Sequence, residues 1–273
     1  MKRYDIPLTD EPDENGFQPN LIAYIIDPAE QIRRPAVLIC PGGGYEVRSE
    51  YGEGERYALP YTAAGFNAFV VNYTVKGGGV FPRQLKELAY AVDIVRSRAD
   101  EWQINPNMIA VCGSSAGAHL AATLCTLWND ERAFTREEIA SRRYRPDAAV
   151  LCYPVITSGD KAHKGSFRAL LGTNDENDPR WELVSAEKQA DEETPPTFIW
   201  QCADDDLVPI ENSFYYAKAL REHNVPFELH IYPKGGHGNG LLTKQDAWWR
   251  PLYGREQNWL KLSIDWLGET FGL

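Results

Sequence analysis

A mostly parallel central β-sheet with helices on both faces is the fold class that this sequence predicts. Three observations carry it: strand-length runs that are apolar almost throughout, helix-patterned segments between them, and no repeat, Ser/Gly linker or compositional break along the 273 residues. Runs without strict alternation suit strands covered on both faces, as parallel strands joined by helical crossovers are. The length suits one large α/β domain as well as two small ones, and the missing boundary selects a single domain over residues 1–273.

The first strand is expected at residues 36–40 and the second at 68–73. Before the third, at 109–112, Leu85, Leu88, Ala89, Val92 and Val95 recur at helical spacing and give one buried stripe. The Ala- and Leu-rich segment 116–127 leads as a helix to the fourth strand, at 148–153. The stretch from about 156 to 196 then falls outside the alternation. Its Phe167, Leu170, Leu171, Trp181, Leu183 and Val184 are too sparse for another full layer, so a small cap-like insertion is expected there. A strand at 197–202 follows, and Ile210, Phe214 and Ala217 mark one face of a helix over 210–223. A last strand at 227–232 precedes a C-terminal helix patterned by Trp259, Leu262 and Trp266, with Leu260, Ile264 and Leu267 beside them. Crossovers in such a sheet are right-handed, and ligands sit beyond the carboxyl ends of its strands.

Charge narrows the partners. With 28 basic and 39 acidic residues the net charge is −11, and no block of Lys and Arg breaks it, so a phosphate-tracking surface for nucleic acid or an anionic membrane is not expected. Asp10, Glu11, Asp13, Glu14 and Asp27 interrupt the first thirty residues, leaving no apolar leader core. No apolar stretch approaches the roughly 20 residues that span a bilayer, and a cytoplasmic location is expected. Cys40, Cys112, Cys125, Cys152 and Cys202 have no CxxC spacing and lie in apolar segments. They read as small buried hydrophobes rather than disulfides or a metal cluster.

Directly after the third strand stands Gly113-Ser114-Ser115-Ala116-Gly117, and a helix follows at once. The G-x-S-x-G pattern is weak by itself, because a turn that merely joins strand to helix can read the same way. Its placement adds weight: a strand feeding a tight turn into a helix is where small flanking residues let Ser115 stand exposed as a nucleophile. A serine needs a base, and the base an orienting acid. Asp204, Asp205 and Asp206 follow the strand at 197–202, and His237 lies in Gly235-Gly236-His237-Gly238 after the strand at 227–232. The order serine, acid, histidine is that of α/β-hydrolases, and strand-end placement brings all three to one sheet edge. Gly42-Gly43-Gly44 after the first strand, together with the N–H of Ala116, supplies donors for an oxyanion hole. Neither phosphate-loop glycine pattern is present. His119, one turn beyond Ser115 on an Ala-rich helix, reads as a packed and hydrogen-bonded histidine. The five histidines include no pair at metal-ligand spacing, and neither a metal nor a cofactor is expected. Trp248, Trp249 and Tyr253 are of a type that stacks on sugar rings as well as one that fills a core.

Residues 34–45, the elbow within 109–120, Asp205-Asp206-Leu207-Val208-Pro209 and Tyr232-Pro233-Lys234-Gly235-Gly236-His237-Gly238 together resemble the α/β-hydrolase carbohydrate-esterase-like family of bacterial acetyl, acetyl xylan and feruloyl esterases, some of whose members carry misleading xylanase labels. The similarity runs from about Leu21 to Leu267. It implies the α/β-hydrolase fold, Ser115 as nucleophile, His237 as base, an Asp of the 204–206 run as orienter, and Gly43, Gly44 and Ala116 as oxyanion donors. Similar hydrolases carry Asp-x-x-Val-Pro, and counting back from Val208-Pro209 gives Asp205. One departure stands out: Pro41 occupies the position that is His in the related His-Gly-Gly-Gly loop.

The expectation is a serine carboxylesterase working through an acyl-enzyme on a small-molecule ester. The resemblance points to acetyl groups on sugars such as xylo-oligosaccharides. A homo-oligomer is compatible with the sequence. A prolyl-oligopeptidase-like peptidase shares the chain order but normally carries a large propeller for which no length remains. A catalytically inactive hydrolase-fold binding module would retain the three residues only by coincidence.

Overall fold

The structure, a computed structural model, describes residues 1–27, 32–241, 254 and 256–273. Its strands are β1 (Lys2–Pro7), β2 (Asn20–Ile25), β3 (Arg34–Cys40), β4 (Asn67–Asn72), β5 (Ile104–Ser114), β6 (Ala148–Cys152), β7 (Thr197–Cys202) and β8 (Phe227–Tyr232). The helices are α1 (Glu50–Glu53), α2 (Glu55–Ala63), α3 (Arg83–Ser97), α4 (Ala116–Leu127), α5 (Arg136–Ser141), α6 (Lys164–Leu171), α7 (Arg180–Leu183), α8 (Ala186–Gln189), α9 (Glu211–Glu222) and α10 (Trp259–Phe271).

Among the described residues the strands form one sheet in the order β1-β2-β4-β3-β5-β6-β7-β8. From β4 to β8 every pairing is parallel, so the mostly parallel sheet read from the sequence is borne out. All six expected runs are strands. The antiparallel pair β1 and β2 was not expected; it joins β4 as an antiparallel edge. β1 is almost wholly exposed and reads Lys-Arg-Tyr-Asp, so it lacks the apolar signature of a covered strand.

Period-2 geometry explains why the inner strands look uniformly apolar. Ala36, Leu38 and Cys40 of β3 face one core, while Val37 and Ile39 face the other. β5 divides likewise, with Ile109 and Val111 on one side and Ala110 and Cys112 on the other. The first core is closed by α3, α4 and α9, through Leu88, Val92, Leu124, Tyr216 and Leu220 among others. The second is closed by α2 and α10, through Tyr57, Tyr61, Trp259 and Leu267. Each fully buried side chain of this size stabilises the fold by about 1.5–3 kcal/mol relative to exposure. No helix was expected over α2, which carries Pro60 in its interior, a residue that ordinarily marks a helix end.

Residues 156–196 connect β6 to β7 and carry α6, α7 and α8. Phe167, Leu170, Leu171, Trp181 and Val184 sink into the first core beside α4. The segment is thereby seated against the elbow helix.

Candidate active site

Ser115 links β5 to α4 with φ +53° and ψ −117°, a backbone state that a non-glycine residue adopts only when its surroundings impose it. They do so through three hydrogen bonds: the Ser115 N–H donates to the Cys152 carbonyl at 2.9 Å, and the Ser115 carbonyl accepts from His119 N–H and Val155 N–H at 3.0 and 3.3 Å. The flanking glycine makes the close approach possible. A Cβ at Gly117 would stand 2.1 Å from the Cys40 carbonyl oxygen and 2.5 Å from that of Pro41, so α4 can begin against the end of β3 only with glycine there.

The residues predicted to cooperate are brought together. Ser115 Oγ and His237 Nε2 are 2.8 Å apart, and His237 Nδ1 and Asp205 Oδ2 are also 2.8 Å apart. Asp205 Oδ1 accepts from Leu207 N–H and Val208 N–H at 3.1 and 2.9 Å, while Oδ2 also accepts from the Gln201 amide at 3.1 Å. Burial alone would raise the Asp205 carboxyl, but the hydrogen bond and charge of His237, with the Val208 N–H and Gln201 amide, outweigh it. The net shift is below the ordinary carboxylate value. An ionised Asp205 therefore accepts from His237 Nδ1–H, leaving Nε2 to accept the Ser115 hydroxyl proton. Gln201 is itself fixed, since its Oε1 accepts from Ser213 Oγ at 2.6 Å.

The three adjacent aspartates have separate fates. Only Asp205 reaches the imidazole. Asp204 is exposed, yet its Oδ1 accepts the Gly236 N–H at 2.8 Å and so braces the residue before His237. Asp206 is exposed.

Gly43 and Gly44 line the same cavity of about 820 Å³ as Ser115 and His237. Gly43 sits at φ +122°, and a Cβ there would meet the Val47 carbonyl oxygen at 2.2 Å, so this loop closes on itself only with glycine. Gly43, Gly44 and Ala116 N–H groups make no hydrogen bond to the described residues, which leaves them available to an anionic oxygen. Pro41 keeps a role through its backbone: its carbonyl accepts from the Tyr73 hydroxyl at 2.6 Å.

Two groups that the sequence reading did not single out stand behind this loop. Glu53 is buried, and its Oε2 accepts the Gly42 N–H at 2.7 Å while Oε1 accepts from the Tyr153 hydroxyl at 2.6 Å. Burial pushes its carboxyl up, against the Tyr153 and Gly42 hydrogen bonds. The Tyr153 ring meets His237 edge-on at 5.0 Å between centroids. No motif marks either residue, and only the return of α1 under the glycine loop brings Glu53 there. His119 is packed, as expected, and its bonds are informative. Nε2 lies 2.7 Å from the Val184 carbonyl and must donate to it, so Nδ1 accepts from the Tyr45 hydroxyl at 2.8 Å. Burial lowers its pKa to about 4. Trp248, Trp249 and Tyr253 lie outside the described residues. Among the described residues, no three His, Cys, Asp or Glu side chains converge to hold a metal ion.

A serine at a strained strand–helix turn and a histidine and an acid on later strand ends, in this sheet order, define an α/β-hydrolase. Within that class the chain belongs to the BD-FAE family, whose model matches residues 24–220. It is 38% identical to endo-1,4-beta-xylanase B of Butyrivibrio fibrisolvens over 89% of this chain and 38% of that protein. It is 32% identical to an acetylxylan esterase of Xylanibacter ruminicola over 83% of this chain and 45% of that protein. The chain thus spans less than half the length of these two relatives. Solved structures match nearly end to end. The acetyl ester-xyloside bifunctional hydrolase of Caldicellulosiruptor lactoaceticus has a TM-score of 0.81 at 37% identity, covering 98% of this chain and 96% of that one. A carboxylesterase of Lactobacillus plantarum has a TM-score of 0.83 at 26% identity, covering 100% of this chain and 99% of that one.

Proposed function

We propose that this protein is a serine carboxylesterase that removes small acyl groups, acetyl above all, from sugars such as xylo-oligosaccharides. The observation that carries the reading is the unbroken hydrogen-bonded line from Ser115 through His237 to Asp205, opening on a cavity lined by Gly43 and Gly44. Ser115 Oγ attacks the ester carbonyl as His237 Nε2 takes its proton, and Asp205 stabilises the imidazolium. The oxyanion rests on the N–H groups of Gly43, Gly44 and Ala116. His237 then protonates the departing alkoxide, an acyl-enzyme remains, and water activated by the same imidazole releases the acid.

Sugar and acetyl enter from the relatives: one is named acetylxylan esterase and another acetyl ester-xyloside hydrolase. The xylanase name belongs to a protein most of whose length lies outside the match. Glycoside hydrolysis uses two carboxyl groups flanking the scissile bond. Here Asp205 is engaged by His237 and two backbone N–H groups, and Glu53 by Gly42 and Tyr153. That commitment favours ester chemistry.

The test is an ester series with a nucleophile variant. Among p-nitrophenyl esters, kcat/KM should peak at acetate or propionate and fall steeply by octanoate, and Ser115→Ala should fold normally while losing about 10⁴-fold or more in kcat. A peak at octanoate makes the enzyme lipase-like, and wild-type turnover in Ser115→Ala removes the mechanism.

A further inference from the structure

One wall of the catalytic cavity comes from neither the elbow nor the histidine loop. His163, at the N-terminus of α6 in the segment between β6 and β7, lines it together with Ser115, His237 and Gly44. Its ring is half-buried and fixed from one side. Nδ1 lies 2.8 Å from Ser166 Oγ and 3.4 Å from Ser166 N. The Ser166 N–H donates to the His163 carbonyl at 3.0 Å and shares itself with Nδ1 as the helix cap; with Nδ1 accepting there, the neutral ring carries its proton on Nε2. Burial, reinforced by the nearby His237 imidazole, pushes this imidazole below its ordinary value, which keeps it neutral at pH 7.

Nε2–H is therefore a fixed, uncharged donor. It has no hydrogen-bond partner among the described residues. The following residue but one leaves that edge open: a Cβ at Gly165 would stand 3.5 Å from His163 Cε1 and 4.0 Å from Nε2. Ser166, which fixes the ring, is also close to the oxyanion loop, its Oγ 3.8 Å from where a Gly44 Cβ would be. His163 thus shares its cavity with the oxyanion loop and with the imidazole that protonates the leaving alkoxide in the esterase reading. Asp205 already holds the other nitrogen of that imidazole. A second neutral histidine cannot duplicate His237, because no carboxylate among the described residues is hydrogen-bonded to its ring and the serine on its Nδ1, Ser166, is buried and does not line the cavity. It suits instead an oxygen next to the leaving one.

We propose that His163 is a specificity-determining residue that donates Nε2–H to a hydroxyl of the alcohol part of the ester, on the carbon beside the acylated one. The segment that carries α6 would then select esters of polyols over those of simple alcohols. This rests on the esterase reading. A charged partner such as a carboxylate is not what a neutral donor recognises best, so the hydroxyl is the chemical class it fits.

The experiment compares 2-hydroxycyclohexyl acetate with cyclohexyl acetate, which differ only in the neighbouring hydroxyl, and uses p-nitrophenyl acetate as reference. Wild type should prefer the hydroxylated ester by about tenfold in kcat/KM, the yield of one good neutral hydrogen bond. His163→Ala should abolish that preference and stay within about twofold of wild type on the other two esters. His163→Asn, which keeps an acceptor for the Ser166 N–H but not the Nε2 donor, should behave like His163→Ala, showing that the helix start is not the cause. A wild type indifferent to the hydroxyl overturns the proposal, as do variants that retain the preference or lose activity equally on all three esters. Wild type inert toward every acetate instead overturns the esterase reading, and the proposal with it.

Discussion

Asp204, Asp205 and Asp206 differ by one position each, yet the fold gives them unlike work. The chain turns over these residues just after β7 ends at Cys202, and only Asp205 points inward, where two turn N–H groups and Gln201 hold it on His237. Asp205→Asn keeps the shape but removes the charge that stabilises the imidazolium, and should lower kcat by about 10⁴-fold at pH 7. Asp206→Asn should remain within about tenfold of wild type. So should Asp204→Asn, since an amide oxygen can still accept the Gly236 N–H. Asp204→Ala, which frees that loop, should be the weaker of the two Asp204 variants. Steady-state kinetics on one small acetate ester ranks all four, and a dead Asp206→Asn beside an active Asp205→Asn would reverse the assignment. The line from Ser115 through His237 to an aspartate of the 204–206 run was legible because strand-end motifs in a fixed order need only the chain. Glu53, Tyr153 and His163 were not, because what matters in them is which backbone group or ring their side chains meet.

At the scale of elements, α4 does more than present Ser115. Through His119 it holds Tyr45, next to the glycine loop, and Val184, in the segment between β6 and β7. The tie works only with a neutral ring. An unfolded histidine titrates near 6.5, whereas His119 in the fold titrates near 4. Between those values the unfolded chain binds the extra proton, so this residue's contribution is intact above about pH 6.5 and is lost progressively as pH falls toward 4. At about 1.4 kcal/mol per pKa unit the loss reaches the order of 3 kcal/mol. Urea unfolding at pH 7, 5.5 and 4.5 should show a shallower decline for His119→Gln than for wild type. Equal slopes would show that His119 does not set this dependence. Buried carboxyls whose values are raised, such as Glu87, act with the opposite sign and are common to both proteins, so the difference isolates the histidine.

For the whole molecule, the sheet separates two cores, and the end of the chain is wired to the site through the second of them. Trp259 of α10 stacks on Trp200 at 5.4 Å and meets Tyr57 edge-on at 5.0 Å, while its Nε1–H donates to the Gly240 carbonyl at 3.0 Å, three residues beyond His237. Tyr57 continues the line, its hydroxyl 3.2 Å from that of Tyr153, which reaches Glu53. Trp259→Ala removes a fully buried indole and should destabilise the protein by about 3–5 kcal/mol, measurable as a lower urea midpoint. Trp259→Phe keeps much of the packing and loses the hydrogen bond. It should cost less in stability, and a kcat deficit at full folding would report the histidine loop.

Reading along the chain was enough for the parallel sheet, the positions of its six central strands and the choice of Ser115 and His237 as candidates, whereas Asp205 was singled out from its two neighbours only by the resemblance to hydrolases with Asp-x-x-Val-Pro. The sheet and the elbow rest on local chemistry: doubly covered strands must be apolar on both faces, and the elbow must be small around its serine. Tertiary structure alone decided the rest. The polar edge strand β1 and the proline-bearing α2 follow from what they pack against rather than from their own patterns. Glu53 matters because a helix returns it beneath Gly42, and His163 because the segment between β6 and β7 turns it into the cavity. Those are contacts between residues distant in the chain, and spacing along a sequence does not encode them.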